Sequence, residues 1–326
     1  MDHIRLSRIL YDIAILIFLF LLLIYTKYFL KPFKSGFFCN DFSINLTYKS
    51  STVTNTVLQI IAIVVPFVFI CFTEIFRTVY MKLKHSSLRL RNKYTIFVYK
   101  NKSFELPEQI GNILINYIAY LFGLLCNANL TNIGKKTIGR LRPNFLDVCK
   151  PNKNPFNTLC QTFTTGITYV RPEIDFECTS PNKSEIDESR LSFPSGHSST
   201  VFYTAIFLIL FINRTWIKRS LGFFPQFVQF LLFAFASFTA LSRVIDHKHH
   251  PTDVLAGTIL GIVVAVSTFY YLNQFYKKYN FKSKYNLNEF GAAELRLKDS
   301  ELVENELENR NSSSTNNKKC FGTKVV

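Results

Sequence analysis

The sequence contains too few charged residues for a typical soluble protein. Asp, Glu, Lys and Arg make up 18% of its 326 residues, whereas hydrophobic residues make up 48%; soluble domains average about 25% charged residues. Internal repeats are also absent, and the first apolar stretch is not followed by the small residues of a signal-peptide cleavage site. The chain is therefore predicted to be a membrane protein that retains its first apolar segment as an anchor.

The apolar residues are concentrated in six blocks, each close to the roughly 20 residues that a helix needs to cross a bilayer. The blocks lie at 9–30, 55–76, 110–130, 196–213, 225–243 and 252–275. The fourth block is the shortest, and it spans a membrane only if its helix begins within the Pro-Ser-Gly-His stretch. The pattern predicts an all-α membrane domain of six transmembrane helices over 1–275 and a disordered cytosolic tail over 276–326.

Acidic residues are scarcer than basic ones, and the formal net charge is +16. In a soluble protein this excess would suggest a nucleic-acid partner, but the positive-inside rule explains it better here. Lys and Arg are concentrated at 77–109, near 214–219 and in the C-terminal tail. We therefore expect cytosolic termini, no nucleic-acid partner, and loops 31–54, 131–195 and 244–251 outside or in a lumen. No KDEL-type retention signal ends the chain, so the plasma membrane is the default prediction.

Cysteine usage agrees with this orientation, because four cysteines lie in the predicted outer loops, where disulfides persist. They are Cys39, Cys149, Cys160 and Cys178. Four cysteines allow three pairings, and the sequence does not choose among them; four free thiols are the alternative. The sequons at Asn45 and Asn182 fall on the same side and are predicted glycosylation sites.

The stretch SRVIDHKHHPTD places several charged residues between the last two apolar blocks. Pro251 suits the first turn of a helix, so His249 is expected at the helix mouth, with Asp253 about one turn further in. A carboxylate at that spacing can accept the imidazole N–H, which makes the other ring nitrogen a better nucleophile. Arg243 closes the fifth block and suggests an anionic substrate. A solvated polar loop is the interpretation for the remaining histidines of the stretch, His247 and His250.

A second cluster, KKTIGRLRPNF, follows the third apolar block and is strongly basic. It begins at Lys135 and includes Arg142. Basic juxtamembrane runs that bind lipid headgroups usually lie on the cytosolic side, whereas this run is predicted to lie outside. A bound anionic ligand would explain the exception.

A third cluster, SFPSGHSST, opens the fourth block. Gly196 allows a tight turn and the close approach of an anion, and Ser195 together with the N–H groups of a helix N-terminus would hold a phosphate oxygen. His197 would then donate a proton to a leaving group. The alternative is a plain Pro-Ser-Gly turn with a capping serine.

The three clusters together supply the parts of a phosphoryl-transfer site. They contain a nucleophile with its carboxylate, a proton donor and several cations that would stabilise the phosphoryl oxygens. No cluster of Asp, Glu or Cys at metal-ligand spacing accompanies them. We therefore predict catalysis without a metal or another cofactor.

The same residues carry a resemblance to a known family, the lipid phosphate phosphatases, or type 2 phosphatidic acid phosphatases, which share a signature with the vanadium haloperoxidases. Its first motif, Lys-x6-Arg-Pro, is similar to the stretch from Lys135 to Pro143. Its second, Pro-Ser-Gly-His, matches the stretch ending at His197. Its third, Ser-Arg-x5-His-x3-Asp, matches the stretch from Ser242 to Asp253. The resemblance covers about 9–275.

The resemblance implies a role for each matching residue. His249 would attack phosphorus to form a phosphohistidine, Asp253 would orient it, and His197 would protonate the leaving alkoxide. The phosphoryl oxygens would be held by Lys135, Arg142, Ser195, Gly196 and Arg243. The resemblance also implies an active site at the outer or luminal ends of helices 3–6 and a substrate such as phosphatidate, lysophosphatidate, sphingosine 1-phosphate or ceramide 1-phosphate.

Two other functions are weighed against this one. A transferase that moves a phospho-headgroup between lipids would use a similar His/Asp pair without needing the whole first motif. A transporter or non-enzymatic lipid-binding protein would place its charges near mid-membrane, whereas these lie at helix ends. Gly257 and Gly261 predict close helix packing, within the bundle or across a homo-oligomer.

Overall fold

The computed structural model describes residues 6–84, 93–99, 102–152, 160, 169–172, 174–216 and 221–278. Contacts divide the chain into two units, residues 1–274 and 275–326. Almost all of the second unit, and with it the predicted disordered tail, lies outside the described residues.

Helices dominate the described part of the chain. They are α1 (Leu6–Ile24), α2 (Asn55–Lys84), α3 (Glu108–Ile138), α4 (Phe145–Cys149), α5 (Lys183–Ser189), α6 (Gly196–Thr215), α7 (Phe224–Ile245) and α8 (Pro251–Lys278). A π-helical turn, Tyr25–Phe29, continues α1. Two antiparallel strand pairs complete the fold. One joins β1 (Phe37–Phe38) to β4 (Tyr169–Val170), and the other joins β2 (Lys93–Tyr99) to β3 (Lys102–Pro107).

Six of these helices are long and apolar enough to cross a membrane, which confirms the predicted all-α membrane fold. The candidate spans are Leu10–Phe29, Asn55–Val79, Gln109–Ile138, Gly196–Thr215, Phe224–Ile245 and Pro251–Gln274. Their mean hydropathies lie between 1.3 and 2.5. The fourth span begins inside the Pro-Ser-Gly-His stretch, as its length required. The β2–β3 hairpin was not predicted.

The third span is longer than the sequence indicated, and the predicted loop 131–195 therefore begins too early. Helix α3 continues to Ile138 and ends at Gly139, whose φ of 59° is left-handed. A glycine at that position adopts the left-handed conformation without strain and stops the helix. Lys135 consequently lies on the last turns of a helix, and α4 and α5 form short helices in the remainder of the segment.

Helix α6 lies at the centre of the bundle, because 67% of its apolar window is buried. The glycines of α8 bring that helix against it. A side chain at Gly257 would begin 2.4 Å from the Ser195 carbonyl oxygen, and one at Gly261 would begin 2.3 Å from that of Ser199. The predicted close packing is thus found within the bundle, and it fixes the start of α6 against the start of α8.

The segments that follow α1 and α3 form a small folded layer at one end of the bundle. This end of the bundle, which also carries the three motifs, is here called the motif end. Disulfides join Cys39 to Cys160 and Cys149 to Cys178, which resolves the pairing that the sequence left open. A buried cluster fills this layer with Phe37, Ile44, Leu141, Phe145, Cys149, Val170 and Phe176. The layer therefore has a core of its own beside the three motifs.

Candidate active site

Backbone contacts bring the three sequence-distant motifs together at the motif end. The Ser195 N–H donates to the Asp253 carbonyl at 3.0 Å, and the Ser192 N–H donates to the Arg140 carbonyl at 2.9 Å. A side chain at Gly196 would begin 3.5 Å from Lys135 Nζ. All three predicted clusters therefore belong to one site.

His249 is the most completely enclosed titratable ring of the site, with 2% of its surface exposed. Its Nδ1 lies 2.7 Å from the Ser192 carbonyl oxygen, so Nδ1 carries the proton and Nε2 keeps its lone pair. Burial lowers the pKa of His249 well below its ordinary value, and the nearby charges of Arg142, Lys135 and Arg243 lower it further. The ring is therefore neutral near pH 7, which is the form that a nucleophile requires.

The expected hydrogen bond between His249 and Asp253 is not formed. Asp253 Oδ2 lies 4.0 Å from His249 Nδ1, beyond hydrogen-bond distance. Asp253 is the third residue of α8, and its carboxylate turns back to accept the His250 backbone N–H at 3.0 Å. An acidic residue at this position commonly caps a helix in this way. The Ser192 carbonyl is the group that holds the His249 ring instead.

The polar-loop interpretation of His250 is also wrong. Its ring is buried, and Nδ1 lies 3.1 Å from Asp253 Oδ2. His247 has a left-handed φ of 56°, and its Nδ1 lies 2.8 Å from the Thr47 carbonyl oxygen. His247 therefore connects the third motif to the loop before α2, whereas His250 bonds Asp253 within the motif.

Two guanidinium groups are fixed by the protein but keep one nitrogen without a partner. Arg142 Nη2 lies 2.9 Å from Glu188 Oε2. Arg243 Nη1 donates to the Val53 carbonyl and to Asp246 Oδ2, at 3.2 and 3.1 Å. The Nε atoms of both arginines are buried and have no hydrogen-bond partner among the described residues. Buried donors of this kind are costly unless a ligand satisfies them, so both positions suit the oxygens of an anion.

The Pro-Ser-Gly-His stretch opens α6 as expected. Ser195 caps the helix, and its Oγ accepts from the Ser198 hydroxyl at 3.0 Å. This leaves the proton of the Ser195 hydroxyl for another acceptor. His197 Nε2 donates to the Val53 carbonyl at 3.1 Å, so the loop before α2 holds both His197 and Arg243.

Comparisons with known proteins identify the family of the chain. A family model described as the PAP2 superfamily matches residues 116–277, which include all three motifs. Rat phospholipid phosphatase 1 is 35% identical over 247 residues, covering 76% of this chain and 78% of the rat protein. The chain belongs to the PAP2 superfamily.

Other relatives extend the comparison. Human phospholipid phosphatase 2 is 33% identical over 246 residues, which cover 76% of each chain. A Drosophila melanogaster relative named for phosphatidate phosphatase activity is 34% identical over 254 residues, covering 77% of this chain but 65% of the fly protein. No solved structure matches the chain.

Several residues of this PAP2 site were missed by reasoning from the sequence. Ser192 and Arg140 lie inside the quoted clusters, but nothing in a sequence tells which polar neighbour of a motif faces inward. Val53 acts through its backbone carbonyl, which leaves no side-chain signal. Glu188 lies on α5, a helix that was not predicted. Burial raises the pKa of Glu188, but Arg142 and Lys135 lower it by more, so the carboxylate stays charged.

Proposed function

We propose that this PAP2 protein is an integral-membrane lipid phosphate phosphomonoesterase that works through a phosphohistidine. The observation that carries the proposal is the pairing of a buried, neutral His249 with two guanidinium groups whose Nε atoms have no partner. Family membership and the names of the relatives support phosphatase activity.

In the first step, His249 Nε2 attacks phosphorus while the bond from phosphorus to the lipid oxygen breaks. His197, protonated on both ring nitrogens when the substrate is bound, donates its Nε2 proton to the departing alkoxide and becomes neutral, which requires that this proton leave the Val53 carbonyl. Arg142, Arg243 and Lys135 would hold the non-bridging oxygens, because their charges oppose the charge that develops on them. Metal ions are not part of the proposed mechanism.

In the second step, water attacks the phosphohistidine. His197, now deprotonated, accepts a proton from this water, and the bond from phosphorus to His249 Nε2 breaks. Inorganic phosphate leaves, and both histidines return to their starting state. Ser195 and the backbone at Gly196 would stabilise the phosphoryl group in both steps.

A lipid suits the position of this site. The site lies where transmembrane helices α3, α6, α7 and α8 end, so a phosphate can reach it while its acyl chain stays among apolar helix surfaces. Phosphatidate, lysophosphatidate, sphingosine 1-phosphate and ceramide 1-phosphate are the proposed class of substrates.

The two disulfides support placing the motif end in an oxidising compartment, because cytosolic thiols are kept reduced. We therefore propose cytosolic termini, a site that faces the extracellular side or a lumen, and residence in the plasma membrane. Glycosidase treatment of the expressed protein would test this orientation. Glycans on Asn45 and Asn182 would support it, and glycans on the sequon at Asn311 in the tail instead would contradict it.

The deciding experiment measures phosphate release from a panel of these lipids by purified protein in detergent. We expect turnover in excess chelator, inhibition by vanadate, and a loss of at least about 10³-fold in His249→Ala, because the nucleophile is gone. The variant should express and insert normally. Turnover retained by His249→Ala would reassign the nucleophile, and strict dependence on Mg²⁺ would contradict the metal-free mechanism. Transfer of phosphate to an added lipid, without free phosphate, would indicate the transferase.

A further inference from the structure

Asp253 and His249 are both bonded to the same residue, Ser192, rather than to each other. The Ser192 hydroxyl donates to Asp253 Oδ2 at 2.5 Å, and the Ser192 carbonyl accepts from His249 Nδ1 at 2.7 Å. We propose that Ser192 is a positioning residue that transmits the orienting effect of Asp253 to the nucleophilic ring. The inference rests on the proposed function of His249.

Every polar group of Ser192 is used, and each is bonded to a different residue of the site. Its N–H donates to the Arg140 carbonyl in the first motif, while its hydroxyl and its carbonyl engage the third. The residue is fully buried. The residue lies two positions before the Pro-Ser-Gly-His motif, so a small rotation of Ser192 would move the His249 ring relative to the start of α6.

Asp253 is in turn held from several directions, which makes it a rigid anchor. Arg140 Nη1 lies 2.6 Å from Oδ1, and the backbone N–H and ring of His250 donate to Oδ2 at 3.0 and 3.1 Å. The carboxylate is completely buried. With these three donors in fixed positions, Asp253 fixes the Ser192 hydroxyl, and through it the carbonyl that holds His249.

A direct action of Asp253 on His249 is the competing explanation. At 4.0 Å the carboxylate and the ring are too far apart for a hydrogen bond, although the charge of the carboxylate still acts on the ring. The two explanations differ in one measurable respect. If Ser192 transmits the effect, removing its hydroxyl and removing the charge of Asp253 should both weaken the Ser192–Asp253 hydrogen bond. The effects of the two substitutions on kcat should then not be additive.

A double-mutant cycle tests this coupling. Ser192→Ala keeps the carbonyl and removes the hydroxyl. We expect kcat to fall on the order of 10–100-fold, because a misplaced nucleophile loses much of its rate, while KM changes less than about threefold. Asp253→Asn should lower kcat strongly in the wild type and by less than about threefold in Ser192→Ala. Equal effects of Asp253→Asn in both backgrounds would overturn the proposal.

Two further variants keep the test decisive. Ser189→Ala is the matched control, because Ser189 is also buried and its hydroxyl bonds only the Ile186 carbonyl at 2.6 Å; its kcat should equal that of the wild type. If Ser192→Ala unfolds early in detergent, Ser192→Cys, which keeps the shape with a weaker donor, replaces it in the same cycle. If the wild type is active and the effects of the two substitutions on kcat are additive, the role of Ser192 is refuted while the proposed function stands. A wild type without turnover refutes the proposed function as well.

Discussion

The bundle contains two buried groups of charged and polar residues, one at each end. The two groups differ in how the hydrogen-bonding atoms of their side chains are satisfied. The motif cluster consists of Lys135, Arg142, His197, Arg243 and His249. The opposite cluster consists of Glu74, Arg77, Asn112, Asn116 and Arg214, and it lies roughly 27 Å away along α6, given a rise of about 1.5 Å per residue. Both lie within or beside apolar spans.

The opposite cluster satisfies its own members. Glu74 is 2% exposed and accepts from Arg77 at 3.4 Å and from Asn112 at 3.5 Å. Arg214 donates to Asn116 and, at 3.3 Å, to Asn273. None of the buried side-chain nitrogen and oxygen atoms of these described residues lacks a partner. A cluster that satisfies itself in this way stabilises the packing of helices.

The motif cluster, by contrast, consists mostly of cations and keeps donors unused. Arg142 and Arg243 each keep a buried Nε without a partner, although both side chains are otherwise fixed. The two clusters have similar burial, so burial alone does not separate a binding site from a structural network. The difference lies in the unsatisfied donors of the motif cluster, and it predicts different consequences of mutation.

Among the changes that test this contrast between the two clusters, the largest effect is expected for Arg142→Lys. Lysine keeps the charge but cannot both pair with Glu188 and present a second donor to phosphate, because it lacks the planar fork of arginine. We expect kcat/KM for phosphate release to fall on the order of 100-fold with an unchanged melting temperature. Arg171→Lys is the matched control, since Arg171 is exposed and pairs with Asp175 at 3.1 Å. A loss below about threefold in Arg142→Lys would remove Arg142 from the binding site.

The pH dependence of His249 sharpens the contrast, because the cations of the motif cluster act on this ring. Only the unprotonated ring can attack, and the lowered pKa keeps it unprotonated as the pH falls through about 6.5, the ordinary pKa of histidine. The acid limb that His249 contributes should therefore lie below that value. Carbethoxylation of the His249 peptide, followed by mass spectrometry against pH, measures this titration without substrate. A midpoint at or above 6.5 would contradict the assignment.

Glu74→Gln should disturb the opposite cluster without touching catalysis. The amide removes the negative charge that faces Arg77, which weakens the attraction within this mostly buried pair. We expect stability to fall by about 1–3 kcal/mol, seen as a lower melting temperature in detergent, with kcat of the folded protein unchanged. Glu177→Gln, at an exposed position, controls for the substitution. A loss of kcat at full stability would show that the two ends are coupled.

Patterns with a direct physical cause were predictable from the sequence. Blocks of apolar residues located six spans to within a few residues at most ends, and Pro251 located the start of α8. The motif residues were found because their chemistry requires particular residue types at particular spacings. The end of α3 was misplaced because polar residues such as Lys135 and Lys136 also occupy helix ends.

Contacts that depend on tertiary structure were not predictable. A spacing of four residues placed Asp253 beside His249, but the carboxylate caps its own helix and faces Ser192 and Arg140 instead. The spacing fixes which residues are near one another and leaves open which of several donors a buried carboxylate accepts from. Backbone acceptors such as the Val53 carbonyl leave no trace in residue identity.

The smallest effect is expected for Glu188→Gln, which tests how strongly this carboxylate opposes the binding of a phosphate at the motif cluster. The carboxylate lies 2.9 Å from Arg142, and its side chain is 55% exposed, so its charge is partly screened by solvent. A negative charge beside a phosphate site repels the substrate, and the neutral amide still accepts a hydrogen bond from Arg142. We expect KM to fall about two- to threefold at low salt and to approach the wild-type value at high salt, with kcat unchanged. Glu185→Gln, on the same short helix, should leave KM unaltered, whereas a higher KM in Glu188→Gln would mean that Glu188 serves chiefly to orient Arg142.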